Sequence, residues 1–171
     1  MARDIDIVVV DDLVADVAER LAVVARRGGQ VALTGGTSVR DAYERAAELE
    51  PDWAGVEIWW SDERCVPPTD ERSNYWLAKG SLLDRVRRGA VHRIHGELGR
   101  DEGAELYEEE LGRLERFDFV VLGLGADAHI ASLFPDEPAL DETELGQCHN
   151  GLKDLGRVSS TRSSSPPRCR F

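Results

Sequence analysis

Short apolar runs in this chain alternate with stretches of helical periodicity, and most runs empty into glycine or small polar residues. Residues 5–10 are β-branched and suit a buried parallel strand. Leu13, Val14, Val17, Ala18, Leu21, Val24 and Ala25 then recur at helical spacing, and Gly28 and Gly29 close that helix. A second strand over 30–33 is followed by Thr34, Gly35, Gly36, Thr37 and Ser38, and by a helix to about Leu49. A third strand over 56–60 ends in Ser61, Asp62, Glu63 and Arg64, before a proline-bearing loop. A helix from about residue 73 to 86, a short strand over 91–94 and an acidic amphipathic helix over 101–114 follow. The last apolar run, 117–122, reads as a buried strand that opens into a turn holding Gly123 and Gly125. This alternation predicts an α/β fold, a doubly wound and mainly parallel sheet with helices on both faces. The polar segments all follow strands, so they are expected to gather around one cleft at the sheet's carboxyl edge.

Charge narrows the partners. The formal net charge is −12 over 171 residues, which argues against nucleic acid and against anionic membrane surfaces. No apolar run approaches the roughly 20 residues needed to span a bilayer. The N-terminus carries acids where a signal peptide carries positive charge, and the odd, unpatterned Cys65, Cys148 and Cys169 suit a reducing compartment. A cytoplasmic location is therefore expected. Residues 1–145 hold 32 acids against 16 bases, whereas residues 146–171 hold one acid and five bases. That reversal sets a boundary: an α/β domain over 1–145, and a serine- and arginine-rich tail over 146–171 that reads as disordered.

Three segments carry chemistry. Gly35 and Gly36 let backbone N–H groups approach an anion at a helix N-terminus, while Thr34, Thr37 and Ser38 supply hydroxyls or cap the helix. The spacing is not that of a Walker loop. Arg64 suits bidentate capture of phosphate or carboxylate, with Asp62 or Glu63 to orient it, and Arg40 is a second candidate cation. Asp127 and His129 stand two residues apart at a strand's end, where an imidazole can take a proton from water near neutral pH.

Two rival patterns are weaker. Gly123, Gly125 and Ala128 formally match a dinucleotide fingerprint, but Phe134 and Pro135 interrupt the helix that fingerprint requires, and no second strand follows. His92, His95 and Glu97 form only a weak zinc pattern, better read as a surface strand and turn.

Assembled in order, these segments resemble the 6-phosphogluconolactonase family, within the glucosamine-6-phosphate isomerase/6-phosphogluconolactonase superfamily. The matching residues are Leu33 to Ser38, Trp60 to Pro68 with Ser73, Asn74 and Tyr75, and Leu122 to Pro135. Deaminases of the superfamily typically continue differently after the histidine. The resemblance runs from about residue 3 to 145 and implies hydrolysis of a 6-phospho-glucono-δ-lactone to 6-phosphogluconate, without a cofactor or metal. It implies that His129 is the general base on water, oriented by Asp127. Arg64, Asp62, the 34–38 loop and the turn at Gly123 and Gly125 would then hold the sugar phosphate. A non-catalytic sugar-phosphate-binding remnant and an amino-sugar-phosphate deaminase or isomerase are the alternatives. Three departures stand out: Ala128 where the family usually has glycine, Ile130 where threonine is usual, and a C-terminus lacking the family's last elements, as a truncated or frame-shifted member would. Alanine at 128 is costly if that position needs a positive φ.

Overall fold

The computed structural model describes residues 6–136, Leu140, and residues 148–149 and 157–159. Asp12 opens α1 (Leu13–Arg27), its carboxylate accepting from the Ala15 N–H at 2.9 Å, and Ala18, Leu21, Ala22 and Ala25 form the buried face. The helix closes at Gly28, where φ is +74° and a Cβ would stand 2.9 Å from the Gly55 carbonyl, so only glycine lets the chain reverse there. Next come β1 (Gly29–Leu33), α2 (Thr37–Leu49), β2 (Asp52–Trp53), β3 (Val56–Trp60), β4 (Asp62–Arg64) and α3 (Asn74–Ala78). They are followed by β5 (Arg87–Arg88), α4 (Arg100–Leu111) and β6 (Phe119–Val120).

The central sheet runs β3-β1-β6, all parallel, with Val31 opposite both Ile58 and Phe119. Val91 adds a parallel bridge to Ile58 on the outer side of β3. The chain thus walks outward from β1 through β3 to Val91, then returns to the far side of β1. Right-handed crossovers place α2 and α3 on one face and α4 on the other. Helix α1 packs against α2. The expected doubly wound parallel sheet is therefore what forms, and its order reverses between β1 and β6.

The core fills both faces. Trp53, Val56, Ile58, Trp60, Leu21, Leu33 and Tyr107 are completely or almost completely buried. Trp59 lies on the α4 face, stacked on the His92 ring at 3.9 Å and donating its indole N–H to Gln30 at 2.6 Å. Two buried tyrosines replace missing strand partners at the carboxyl ends. The Tyr43 hydroxyl bonds both the N–H and the carbonyl of Thr34, at 3.0 and 2.9 Å. Tyr107 does the same for Trp60, both at 2.9 Å. Burial pushes both phenols well above their ordinary range, so they stay protonated and able to donate.

Several expectations change in detail. Residues 6–10 form no strand, and Ile7, Val8 and Val9 are 86%, 66% and 92% exposed. Propensity alone cannot make a strand without a ladder partner, and none of the described residues offers one. The helix expected over 73–86 is α3 followed by a π turn, Lys79–Leu83. Gly80 weakens it, and the Ser81 hydroxyl bonds back to the Leu77 carbonyl at 2.7 Å. The run at 117–122 contributes only β6, flanked by bonds from Asp118 N–H to Gln30 and from Val121 N–H to Ala32. The tail expected to be disordered lies almost wholly outside the described residues. Of it, β7 (Cys148–His149) pairs antiparallel with β8 (Arg157–Ser159), and β8 pairs antiparallel with β4.

Tyr107→Phe removes the hydroxyl that bonds both the N–H and the carbonyl of buried Trp60. Urea denaturation is expected to show a loss of about 1–3 kcal/mol; an unchanged midpoint would mean that the hydroxyl does not hold the strand end.

Candidate active site

At the reversal point the ends of β1 and β6 diverge, and a cavity of about 160 Å³ opens there. It is lined by Thr34, Gly35 and Gly36 after β1, by Asp62, Arg64 and Asn74 from the neighbouring segment, and by Gly123, Leu124, Gly125, His129 and Ala131 after β6. Residues from three crossovers, up to about a hundred positions apart in the chain, thus face one space.

The imidazole is held by its own turn. Gly125 donates its N–H to the His129 carbonyl at 2.8 Å, and the Ala128 N–H bonds the Gly125 carbonyl at 2.9 Å. His129 Nδ1 lies 2.5 Å from Asp127 Oδ1, and the ring stacks on Phe134 at 4.8 Å. The hydrogen bond from His129 holds the Asp127 carboxyl below its usual range, so it remains the acceptor. With Nδ1–H directed at a carboxylate, Nε2 is the nitrogen available to a water. Gly125 is sterically required, because a Cβ there would stand 2.2 Å from His129 Nδ1. Ala128 does adopt φ +66°, and Ala131 takes φ +53°, so two L-residues in the left-handed region bracket His129.

The cationic side is built differently from expectation. Neither Asp62 nor Glu63 orients Arg64. Glu63 is buried, and its carboxylate accepts from the N–H groups of Arg64, Asn74 and Tyr75 and from the Ser73 hydroxyl, at 2.7–2.9 Å. It joins the N-cap residue Ser73 in capping α3, and burial raises its carboxyl above the ordinary range despite those bonds. Asp62 is directed at Asn74 and Ser132. The Arg64 guanidinium is instead positioned by one bond, Nη1 to the Arg72 carbonyl at 2.7 Å, and its buried Nε has no partner among the described residues. With no carboxylate partner among the described residues and a place on the cavity wall, Arg64 has capacity for an incoming anion.

Of the candidate residues, Thr34, Gly35, Gly36, Asp62, Arg64, Gly123, Gly125 and His129 line the cavity, and Asp127 stands behind His129. Thr37, Ser38 and Arg40 are exposed on the first turn of α2 and do not line it. No side chain caps α2, whose first residue follows Gly36 of the cavity wall. His92 stacks on Trp59 between Glu57 and Glu110, and no group of three metal-ligating side chains converges among the described residues. Asn74, which lines the cavity, and Ser132, which bonds Asp62, are not among the sequence-predicted site residues, although both lie in segments that carry the family resemblance.

A cavity at the switch point of a parallel sheet, with a guanidinium that no described carboxylate pairs and a His–Asp couple on its walls, is the arrangement of an open α/β protein with its ligand site at the strands' carboxyl ends. The family profile described as glucosamine-6-phosphate isomerases/6-phosphogluconolactonase matches residues 7–163, and the chain belongs to that family. The match passes residue 145, where the motif resemblance was expected to end. A 6-phosphogluconolactonase of Treponema pallidum is 39% identical over 119 residues, covering 63% of this chain and 49% of that protein. One from Haemophilus influenzae is 34% identical over 124 residues, covering 67% and 53%. The crystal structure of 6-phosphogluconolactonase from Thermotoga maritima superposes with a TM-score of 0.78 at 28% identity, covering 86% of this chain and 72% of that one. The chain spans about half the length of the curated bacterial relatives it matches.

The strain at Ala128 has a direct consequence. Ala128→Gly relieves a left-handed alanine, partly offset by the entropy of glycine, and should raise stability by about 0.5–1 kcal/mol. Thermal unfolding checks this; a lower Tm would mean that the turn gains more from the methyl group than its φ costs.

Proposed function

We propose that this chain hydrolyses 6-phospho-glucono-δ-lactone to 6-phosphogluconate, the lactone-opening step of the oxidative pentose phosphate pathway, in the cytoplasm. The observation that carries the reading is that His129 and Arg64 line one cavity. Arg64, together with the backbone of Gly35 and Gly36 ahead of α2, receives the phosphoryl group. His129 Nε2 takes a proton from the attacking water while Asp127 holds Nδ1 and offsets the imidazolium charge that develops. The lactone carbonyl becomes a tetrahedral oxyanion, its ring C–O bond breaks, and the imidazolium returns the proton to the leaving alkoxide. The Gly125 and Ala128 N–H groups are engaged inside the turn, so oxyanion donors come from other groups around the cavity. Lactones open without help, so a positioned water and base worth on the order of 10²–10⁴-fold suffice.

The carboxylate of Asp127 stays ionised below its ordinary range, so it does not set the acid limit of the reaction.

The binding-remnant reading is favoured by one observation, the strained Ala128 beside the base. Turnover separates the two. Purified protein should open the lactone faster than buffer, and His129→Ala should bring the rate to the buffer value while 6-phosphogluconate still raises the melting temperature. Thermal stabilisation with equal rates for wild type and variant would leave binding and remove the hydrolase.

A further inference from the structure

The turn around His129 is strained at Ala128 and Ala131, and strained turns persist only where their surroundings over-determine them. What anchors this one lies three residues past the base. Ser132 is 1% exposed, and its hydroxyl donates to Asp62 Oδ2 at 2.6 Å across 70 positions of sequence. Asp62 is itself 3% exposed, and its other oxygen accepts from Asn74 Nδ2 at 3.1 Å, while the same amide donates to the Asp62 carbonyl at 2.8 Å. Asn74 is 1% exposed, and its Oδ1 has no hydrogen-bond donor among the described residues. That oxygen rests against the backbone of Gly35, where a Cβ would stand only 1.7 Å away. A buried chain of contacts, Ser132 to Asp62 to Asn74 to Gly35, therefore runs beneath the cavity from the base's turn to the anion loop.

We propose that Ser132 is a positioning residue, tying the turn that carries His129 to the loop that carries Gly35 through Asp62 and Asn74. Asp62 then serves the site from beneath, as the acceptor both loops share. This suits its charge: a carboxylate aimed at the ligand would repel a phosphoryl group, whereas one saturated by Ser132, Ser61 and Asn74 orders both walls. The glycine at 35 is what lets the loop settle on Asn74, so any side chain there would break the link as well as crowd the cavity.

Hydrogen exchange of the full chain tests the link without reference to any reaction. Ser132→Ala should speed amide exchange at least tenfold over residues 123–133 and also over residues 34–38, with α1 and β3 unchanged. Coupling of this kind is reciprocal, so Asn74→Ala, which cuts the chain at its other end, should also release both segments. It carries the test if the first variant does not fold. Faster exchange confined to the segment beside either substitution would overturn the proposal. The catalytic consequence rests on the hydrolase reading: Ser132→Ala should lower kcat at least tenfold and also raise KM, because the 34–38 loop that receives the phosphoryl group is released together with the turn of the base. Normal kcat in a variant with loosened loops would show that the base does not need this anchor, whereas absence of turnover in the wild type would count against the hydrolase alone.

Discussion

Where the order of a parallel sheet reverses, the loops leaving two neighbouring strands turn to opposite faces, and neither following helix can fill the gap between them. In this chain the gap falls between β1 and β6. Everything functional depends on it. The loop after β1 brings backbone amides and a helix N-terminus to one wall, and the turn after β6 brings an imidazole to the other. The segment after β3 supplies Arg64 across the opening. The reversal itself follows from the short route through Val91 and the return over α4, whose Tyr107 pins the end of β3.

Buried polar groups turn that opening into a defined site. Three carboxylates stand near the cavity, and each has a separate task. Glu63 caps α3, Asp62 joins Asn74 to Ser132, and Asp127 orients His129. None of the three pairs with the Arg64 guanidinium, which leaves a cation facing the cavity in a protein of strongly negative net charge. Had either acid of the strand end formed an ion pair with Arg64, the cavity would hold no local positive charge to attract a phosphoryl group. The strain stored at Ala128 and Ala131 belongs to the same economy of positions, because it places His129 on the cavity wall rather than along the strand.

Much of this was readable in the sequence where apolar residues dominate. The runs that became β1 and β3 are mostly buried, and the helical stripe of α1 is buried from Ala18 to Ala25, where pattern and tertiary environment agree; Leu13, at the helix start, is 65% exposed. The glycines of the 35–36 and 123–125 turns marked the cleft, and close approach explains two of them: a Cβ at Gly35 would meet Asn74 and one at Gly125 would meet His129, while Gly36 takes φ +109°. Residues 6–10 failed for the opposite reason: Ile7, Val8 and Val9 have strand propensity, and a strand also needs a neighbour. Polar positions were harder. Nothing in Asp62 or Glu63 announces that one will be saturated by a serine 70 residues away and the other by a helix start. Hydrogen-bond partners of buried polar groups are set by the packing of distant segments, which periodicity does not encode.

The central claim is that the cavity at the reversal takes a phosphorylated ligand on Arg64. Isothermal titration of 6-phosphogluconate into wild type and Arg64→Ala measures it directly. The account predicts that removing the guanidinium weakens binding at least tenfold, and that removing the exposed Arg40 instead leaves it unchanged. Equal affinity for wild type and Arg64→Ala would contradict it.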